Sequence, residues 1–216
     1  MAPVDDYYTL HADTYHIQTF FLDPSSFLSP LYERLTSGCR ILDVGCGSGR
    51  DLLWFQRRGF HVIGFERSYP LARLARTHVG CDVIVGDFQQ FDFSRFCVDA
   101  LLLVGALVHT PHGLFQKSLT NVVKAVKPGG FVLLSVKEGQ GFSTDAEGRT
   151  FFYWTDERLQ KILQSCRLVR IHWSRQVSVK SHSDVWLSYV LKKNDAHGRS
   201  SFVCKGLQKA RSRQDP

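Results

Sequence analysis

The chain has 216 residues, with 27 lysines and arginines against 20 aspartates and glutamates, for a net charge of +7 at neutral pH. That length suits one domain with a sizeable core. No apolar run is long enough for a membrane helix, and the acidic, polar start (Met1-Ala2-Pro3-Val4-Asp5-Asp6) does not read as a signal peptide. The six cysteines (39, 46, 81, 97, 166, 204) include no C-x-x-C pair. This argues against a zinc site or a disulfide framework and fits a reducing, cytoplasmic setting. The charge is lopsided. From Lys192 onward stand seven bases and two acids, a net of +5, which leaves only +2 for the body. A basic tail can hold phosphates, but such ends are more often solvated and disordered. Residues 193–216 are read that way, and the charge is weak ground for a nucleic-acid partner.

Residues 5–36 read as two helical pieces, broken near Asp23-Pro24-Ser25 and at Pro30. Alternation follows: strand 39–44, helix 50–58, strand 60–65, helix 70–78, strands 81–85 and 98–104, helix 114–126, strand 130–137, helix 155–166, and strands 167–177 and 184–192. Strands separated by helices imply βαβ units and a parallel sheet.

The first strand ends in Asp43-Val44-Gly45-Cys46-Gly47-Ser48-Gly49-Arg50-Asp51. Glycines at 45, 47 and 49 allow the backbone to approach a ligand closely and aim helix N-terminal amides at it. A dinucleotide fingerprint needs glycine or alanine where this chain has Arg50, which disfavours a nicotinamide dehydrogenase. The second strand ends at Glu66, 21 positions beyond Gly45, where a nucleotide fold places a carboxylate for ribose hydroxyls. The third ends in Gly86-Asp87-Phe88, the fourth at Gly105, and Val126-Lys127-Pro128-Gly129-Gly130 leads into the fifth.

Taken in order, these motifs over residues 39–192 resemble class I S-adenosylmethionine-dependent methyltransferases. The resemblance implies an α/β, Rossmann-like, doubly wound sheet of seven strands. The sheet is mostly parallel, with the last strand antiparallel beside the fifth and helices on both faces. It implies S-adenosylmethionine as cofactor, contacted by Asp43, Gly45, Cys46, Gly47, Gly49, Glu66, Arg67, Asp87, Phe88 and Gly105. In that scheme Asp87 bonds the adenine amino group and Phe88 lies against the ring. Cys46 reads as a small residue near the cofactor rather than a nucleophile, and no metal is called for.

Two segments fall outside the core pattern. Residues 1–38 carry Tyr7, Tyr8, His11, Tyr15, His16, Phe20 and Phe21; residues 138–154 carry Arg149 and Phe151-Phe152-Tyr153-Trp154. Ligands of open α/β sheets bind beyond the carboxyl ends of the strands, so both segments are placed to cover that edge. The first is read as a lid with Tyr15 on the cofactor. The loop after the fourth strand holds His109 and His112. His109 is the candidate general base and His112 the second choice; the competing reading of His109 is a helix cap or an orienting group. Lys137-Glu138 either bind substrate or pair with each other.

No Pro-Pro or Pro-Cys occurs, and residues 105–113 contain no acid. This disfavours amino-methylating DNA enzymes, cytosine C5 enzymes and metal-dependent catechol-type enzymes. What remains is methyl transfer to nitrogen or oxygen of a small or medium-sized acceptor, without a membrane. Two alternatives stay open: a non-catalytic S-adenosylmethionine-binding protein, and an RNA-modifying enzyme docking through its basic tail.

Overall fold

The computed structural model describes residues 4–178, 181 and 184–194. Three short helices come first, α1 (Val4–Leu10), α2 (Ala12–Thr19) and α3 (Ser25–Tyr32). The alternating body follows: β1 (Arg40–Val44), α4 (Arg50–Gln56), β2 (His61–Glu66), α5 (Tyr69–Val79), β3 (Val83–Val85), β4 (Val98–Val104), α6 (His112–Val123) and β5 (Val126–Lys137). The chain then forms the hairpin β6 (Phe142–Thr144) and β7 (Thr150–Phe152), α7 (Asp156–Ser165), β8 (Leu168–Val177) and β9 (Val185–Lys193).

The main sheet has seven strands in the order β3-β2-β1-β4-β5-β9-β8. Pairings from β3 through β5 are parallel; β9 runs antiparallel between β5 and β8. This is the expected Rossmann-like architecture. The strand order reverses between β1 and β4, and a crevice opens beyond the carboxyl ends of such a pair. In the central strands, neighbouring residues feed opposite faces. Leu42, Leu101 and Leu103 pack with α6 and α7, while Ile41, Ala100 and Leu102 pack with α3, α4 and α5. Burial on both faces explains why these strands read as unbroken apolar runs.

Two local expectations fail and one element goes unread, each for a physical reason. Pro30 does not break the N-terminal helix but lies inside α3. Proline there denies a partner to the carbonyl four residues earlier, and that carbonyl, on Ser26, accepts instead from Gln176 Nε2 at 3.3 Å. Val126-Lys127-Pro128-Gly129-Gly130 is a bulge within β5 rather than a turn before it: Val98 pairs with Val126, but Ala100 pairs with Phe131. The 138–154 segment contains a hairpin whose strands, three residues each, are too short to show alternation.

The tail boundary also shifts. Strand β9 runs to Lys193, whose ammonium donates to the carbonyls of Val123 and Val126, so Lys193, read as the first residue of the tail, belongs to the body as Lys192 does. The remainder of the predicted basic tail lies, past Asn194, outside the described residues. Cys39, Cys46, Cys81 and Cys166 are free thiols, whereas Cys97 is disulfide-bonded, which the scattered cysteine spacing does not foretell. Among the described residues no helix is long and apolar enough to cross a membrane.

Candidate active site

The glycine loop is held through its own backbone amides. The amides of Gly45 and Cys46 both donate to the Phe65 carbonyl at the end of β2, at 2.7 and 3.2 Å. Gly45 and Gly47 have φ of +76° and +55°, a region L side chains rarely enter. A Cβ on Gly45 would sit 2.9 Å from Ala106 Cβ, and one on Gly47 would meet only the Tyr15 ring, at 3.4 Å. Gly49 serves packing, since its Cβ would press into Val79 and Ala75 of α5.

Glu66 joins this loop to β2. One carboxylate oxygen accepts from the Gly47 amide at 2.8 Å; the other accepts from the amides of Arg67 and Ser68 at 2.8 and 2.9 Å. Burial raises its pKa in spite of those three donors. Asp43 is also buried, and loss of solvent, reinforced by Asp51, pushes its carboxyl well above the ordinary range. Arg50, the residue that rules out a dinucleotide fingerprint, is ion-paired with Asp51 at 2.6 Å and lies over the Phe27 ring.

A cavity of about 260 Å³ opens between the ends of β1, β2 and β4. Of the residues expected at a cofactor site, it brings together Tyr15, Gly45, Gly47, Glu66, Arg67, Phe88, Gly105 and His109. It does not include Asp43, Cys46, Gly49 or Asp87 among its walls. The Cys46 thiol faces the core near Gly64, and burial raises its pKa. The Asp87 carboxylate accepts from the Gln89 amide at 2.8 Å and lies 3.8 Å from Arg67.

At the far end stands His109. Its Nδ1 lies 2.7 Å from the Thr150 carbonyl. A carbonyl can only accept, so Nδ1 carries the proton and Nε2 has a free lone pair. The hydroxyl of Tyr8 lies 2.9 Å from Nε2 and must be the donor. Burial, helped by the charges of Arg149 and Lys137, lowers the His109 pKa and keeps the ring neutral. His112, the second choice, is engaged elsewhere: its Nε2 bonds the Tyr153 carbonyl and its ring packs edge-on against Trp154. His11 is exposed beside Tyr7, and His16 is stacked on His78 of α5.

The N-terminal helices wall the cavity through Tyr8 and Tyr15, and the hairpin packs beside them and against the His109 loop. The amide of Phe152 donates to the Val108 carbonyl, which stitches the hairpin to the His109 loop. Arg149, paired with Asp145 and Glu147, lies 4.1 Å from the Tyr7 ring centre, so hairpin and α1 meet there. The Tyr8 carbonyl accepts from Ser68 Oγ at 3.0 Å. Lys137 and Glu138 do not pair with each other. Lys137 binds Asp184 at 2.9 Å and Glu138 binds Arg175 at 2.8 Å, because successive strand residues face opposite ways. Tyr8 is the wall residue whose role sequence reasoning missed. No local signal marks it, because Tyr8 stands on α1 and Tyr15 on α2, so no single helical period links the two rings.

Residues 41–130 match a family model described as a methyltransferase domain. With the seven-stranded sheet, this identifies a Rossmann-like methyltransferase domain. Over residues 41–130 the chain is similar to the class I S-adenosylmethionine-dependent methyltransferases. It is 35% identical over 105 residues to a tRNA (carboxymethyluridine(34)-5-O)-methyltransferase from Arabidopsis thaliana, covering 48% of this chain and 25% of that protein. It is 33% identical over 106 residues to a ubiquinone biosynthesis O-methyltransferase from Alkalilimnicola ehrlichii, covering 45% of this chain and 41% of that protein. The chain thus spans less than half the length of these relatives. In fold it is similar to the 1,6-didemethyltoxoflavin-N1-methyltransferase of Burkholderia thailandensis, solved with bound 1,6-didemethyltoxoflavin and S-adenosylhomocysteine. The TM-score there is 0.69 at 20% identity, over 90% of this chain and 92% of that one.

Proposed function

We propose that this chain transfers a methyl group from S-adenosylmethionine to nitrogen or oxygen of a small or medium-sized acceptor, with His109 as general base. The observation that carries this reading is the fixed tautomer of His109, whose basic nitrogen stands at the wall of the cavity. The cavity suits the cofactor. Bare backbone at Gly45 and Gly47 would admit it closely, Glu66 would take the ribose hydroxyls, and Phe88 would lie against the adenine with Asp87 and Arg67 beside it. Gly105 would leave room near the methyl group, and Tyr15 would close the loop side. Asp43, Cys46 and Gly49 would shape the loop from behind. When bound, the cofactor supplies a methyl group already activated on a sulfonium. The protein's task is to orient the acceptor, exclude water and receive a proton. His109 is suited to the last, being neutral and held by Thr150.

The test is calorimetric titration with S-adenosylmethionine and with S-adenosylhomocysteine, followed by an acceptor screen with labelled methyl donor. Micromolar binding of both is expected. No binding of either overturns the reading. An active wild type beside a silent His109→Ala separates an enzyme from a mere cofactor binder.

A second reading, an RNA acceptor, draws on the similarity to the plant tRNA methyltransferase. It predicts RNA binding that falls steeply with salt and is lost on truncation after Asn194, a cut that spares Lys193. Binding unchanged by that cut would remove the tail from the argument.

A further inference from the structure

The basic nitrogen of His109 already holds a hydroxyl, and its source is the protein's own Tyr8. Tyr8 lines the same cavity as Gly105, Ala106 and His109. Its ring lies in an aromatic slot, edge-on to Tyr7 at 5.3 Å, to Tyr15 at 5.2 Å and to the His109 ring at 5.7 Å. We propose that the Tyr8 phenol occupies the position of the acceptor, and that the acceptor is an aryl hydroxyl compound that takes its place on His109. This rests on the reading of His109 as the base.

Three considerations favour an aryl hydroxyl. The slot has the shape of an aromatic ring, because a tyrosine fills it. An aryl hydroxyl ionises near pH 10, within reach of an imidazole, whereas a water-like hydroxyl ionises near 15.7. Finally, the Arg149 guanidinium, held over the adjoining Tyr7 ring, favours the ionised form of the Tyr8 hydroxyl, although burial outweighs it and keeps Tyr8 itself protonated. A cation there would help an oxygen that is losing its proton and would repel an ammonium acceptor. Base and guanidinium thus converge on one oxygen.

The step balances. The acceptor oxygen forms a bond to the methyl carbon as the carbon–sulfur bond breaks, and that electron pair returns to sulfur, giving neutral S-adenosylhomocysteine. The hydroxyl proton passes to His109 Nε2, and the imidazolium keeps its Nδ1–H on Thr150 until the proton leaves for solvent. For the acceptor to enter, Tyr8 must withdraw. It is tied to the core by that hydroxyl and by the Ser68–Tyr8 carbonyl bond, and it lies on a helix of seven residues.

The probe is p-cresol, the tyrosine side chain as a free molecule. Full-length Tyr8→Ala is incubated with p-cresol and S-adenosylmethionine labelled in its methyl group. Formation of p-cresyl methyl ether is expected at about tenfold or more above wild type, saturating in p-cresol. Adding His109→Phe should lower it by about a hundredfold or more. The second measurement uses Tyr8→Phe with S-adenosylhomocysteine bound and histidine labelled with ¹⁵N. There p-cresol should move the His109 Nε2 resonance at lower concentration than in wild type. Normal cofactor affinity with neither ether nor resonance shift overturns the proposal alone. Ether that survives His109→Phe overturns the base as well, and failure of the wild type to bind either cofactor form sinks the reading beneath both.

Discussion

The two ends of the cavity are built in different ways. The Gly45–Gly49 end is backbone: positive φ angles, amides on the Phe65 carbonyl, and one carboxylate that gathers three amides. The His109 end centres on side chains and draws on three separate stretches, with the Tyr8 hydroxyl at 2.9 Å and the Thr150 carbonyl at 2.7 Å across 101 and 41 residues of sequence. A backbone end can recognise what every reaction of the class shares. A side-chain end can vary with the acceptor, since one substitution there moves no main chain. The first end should therefore fail by losing affinity or fold, and the second by losing rate.

The largest effect belongs to the second end. His109→Ala should cut the transfer rate by about a hundred- to ten-thousandfold, measured with labelled donor, while affinity for S-adenosylhomocysteine stays near wild type. Equal losses of rate and affinity would mean that His109 holds the cofactor rather than the acceptor's proton.

Next come the glycines, which split the first end in two. Gly49→Val drives a Cβ to 2.7 Å from Val79 at a φ of +93°. Strain and overpacking together should cost about 3 kcal/mol or more of stability by denaturant unfolding. Gly47→Val meets only Tyr15 at 3.4 Å. It should cost the fold about 1–3 kcal/mol through its φ alone, yet remove cofactor binding. If both variants lose the same stability and the same affinity, the division between a packing glycine and a binding glycine is wrong.

Glu66→Ala should weaken cofactor binding by about 1–3 kcal/mol, the cost of losing a charged hydrogen-bond partner, as read by calorimetry. Some of that loss is indirect, because the Gly47 amide loses its acceptor too. Glu66→Gln keeps one acceptor oxygen and should recover part of it.

The same contrast explains what the sequence could tell. Glycine at positive φ and a carboxylate at a strand end are chemical necessities that leave fixed spacings, so Gly45, Gly47 and Glu66 were legible. The sheet was legible because β1 and β4 are buried on both faces. Tyr8 was not, since nothing local tells a tyrosine that meets His109 from one that packs on a sheet. The hairpin escaped because strands of three residues carry no period, and Pro30 misled because Gln176, far along the chain, satisfies the carbonyl it leaves free. Lys193 looked like tail because its two carbonyl partners come from the α6–β5 junction.

The smallest predicted effect concerns the contact between α2 and α5. His16 of α2 is stacked on His78 of α5 at 4.5 Å and 11°. Its Nδ1 is buried with no partner among the described residues, and Asp13 is the nearby acid that opposes the loss of solvent. Burial, together with His78, lowers the pKa of His16. Below the ordinary histidine pKa near 6.5, the unfolded chain therefore binds a proton that the folded one resists. Stability due to this residue is whole above that pH and falls as pH drops below it. Asp99, Asp145 and Asp156 have lowered pKa values and lose their contribution only at still lower pH; Asp43 and Glu66, raised, act in the opposite sense. Comparing wild type with His16→Phe isolates the pair. Phenylalanine keeps the stack with His78 and Phe20 and removes the unpartnered nitrogen. The variant should match or exceed wild-type Tm at pH 7.5, and the gap should widen by about 2 °C at pH 5.5. A gap that does not change with pH would mean that the His16 ring packs there without titrating against the fold, and the α2–α5 contact would be insensitive to acid.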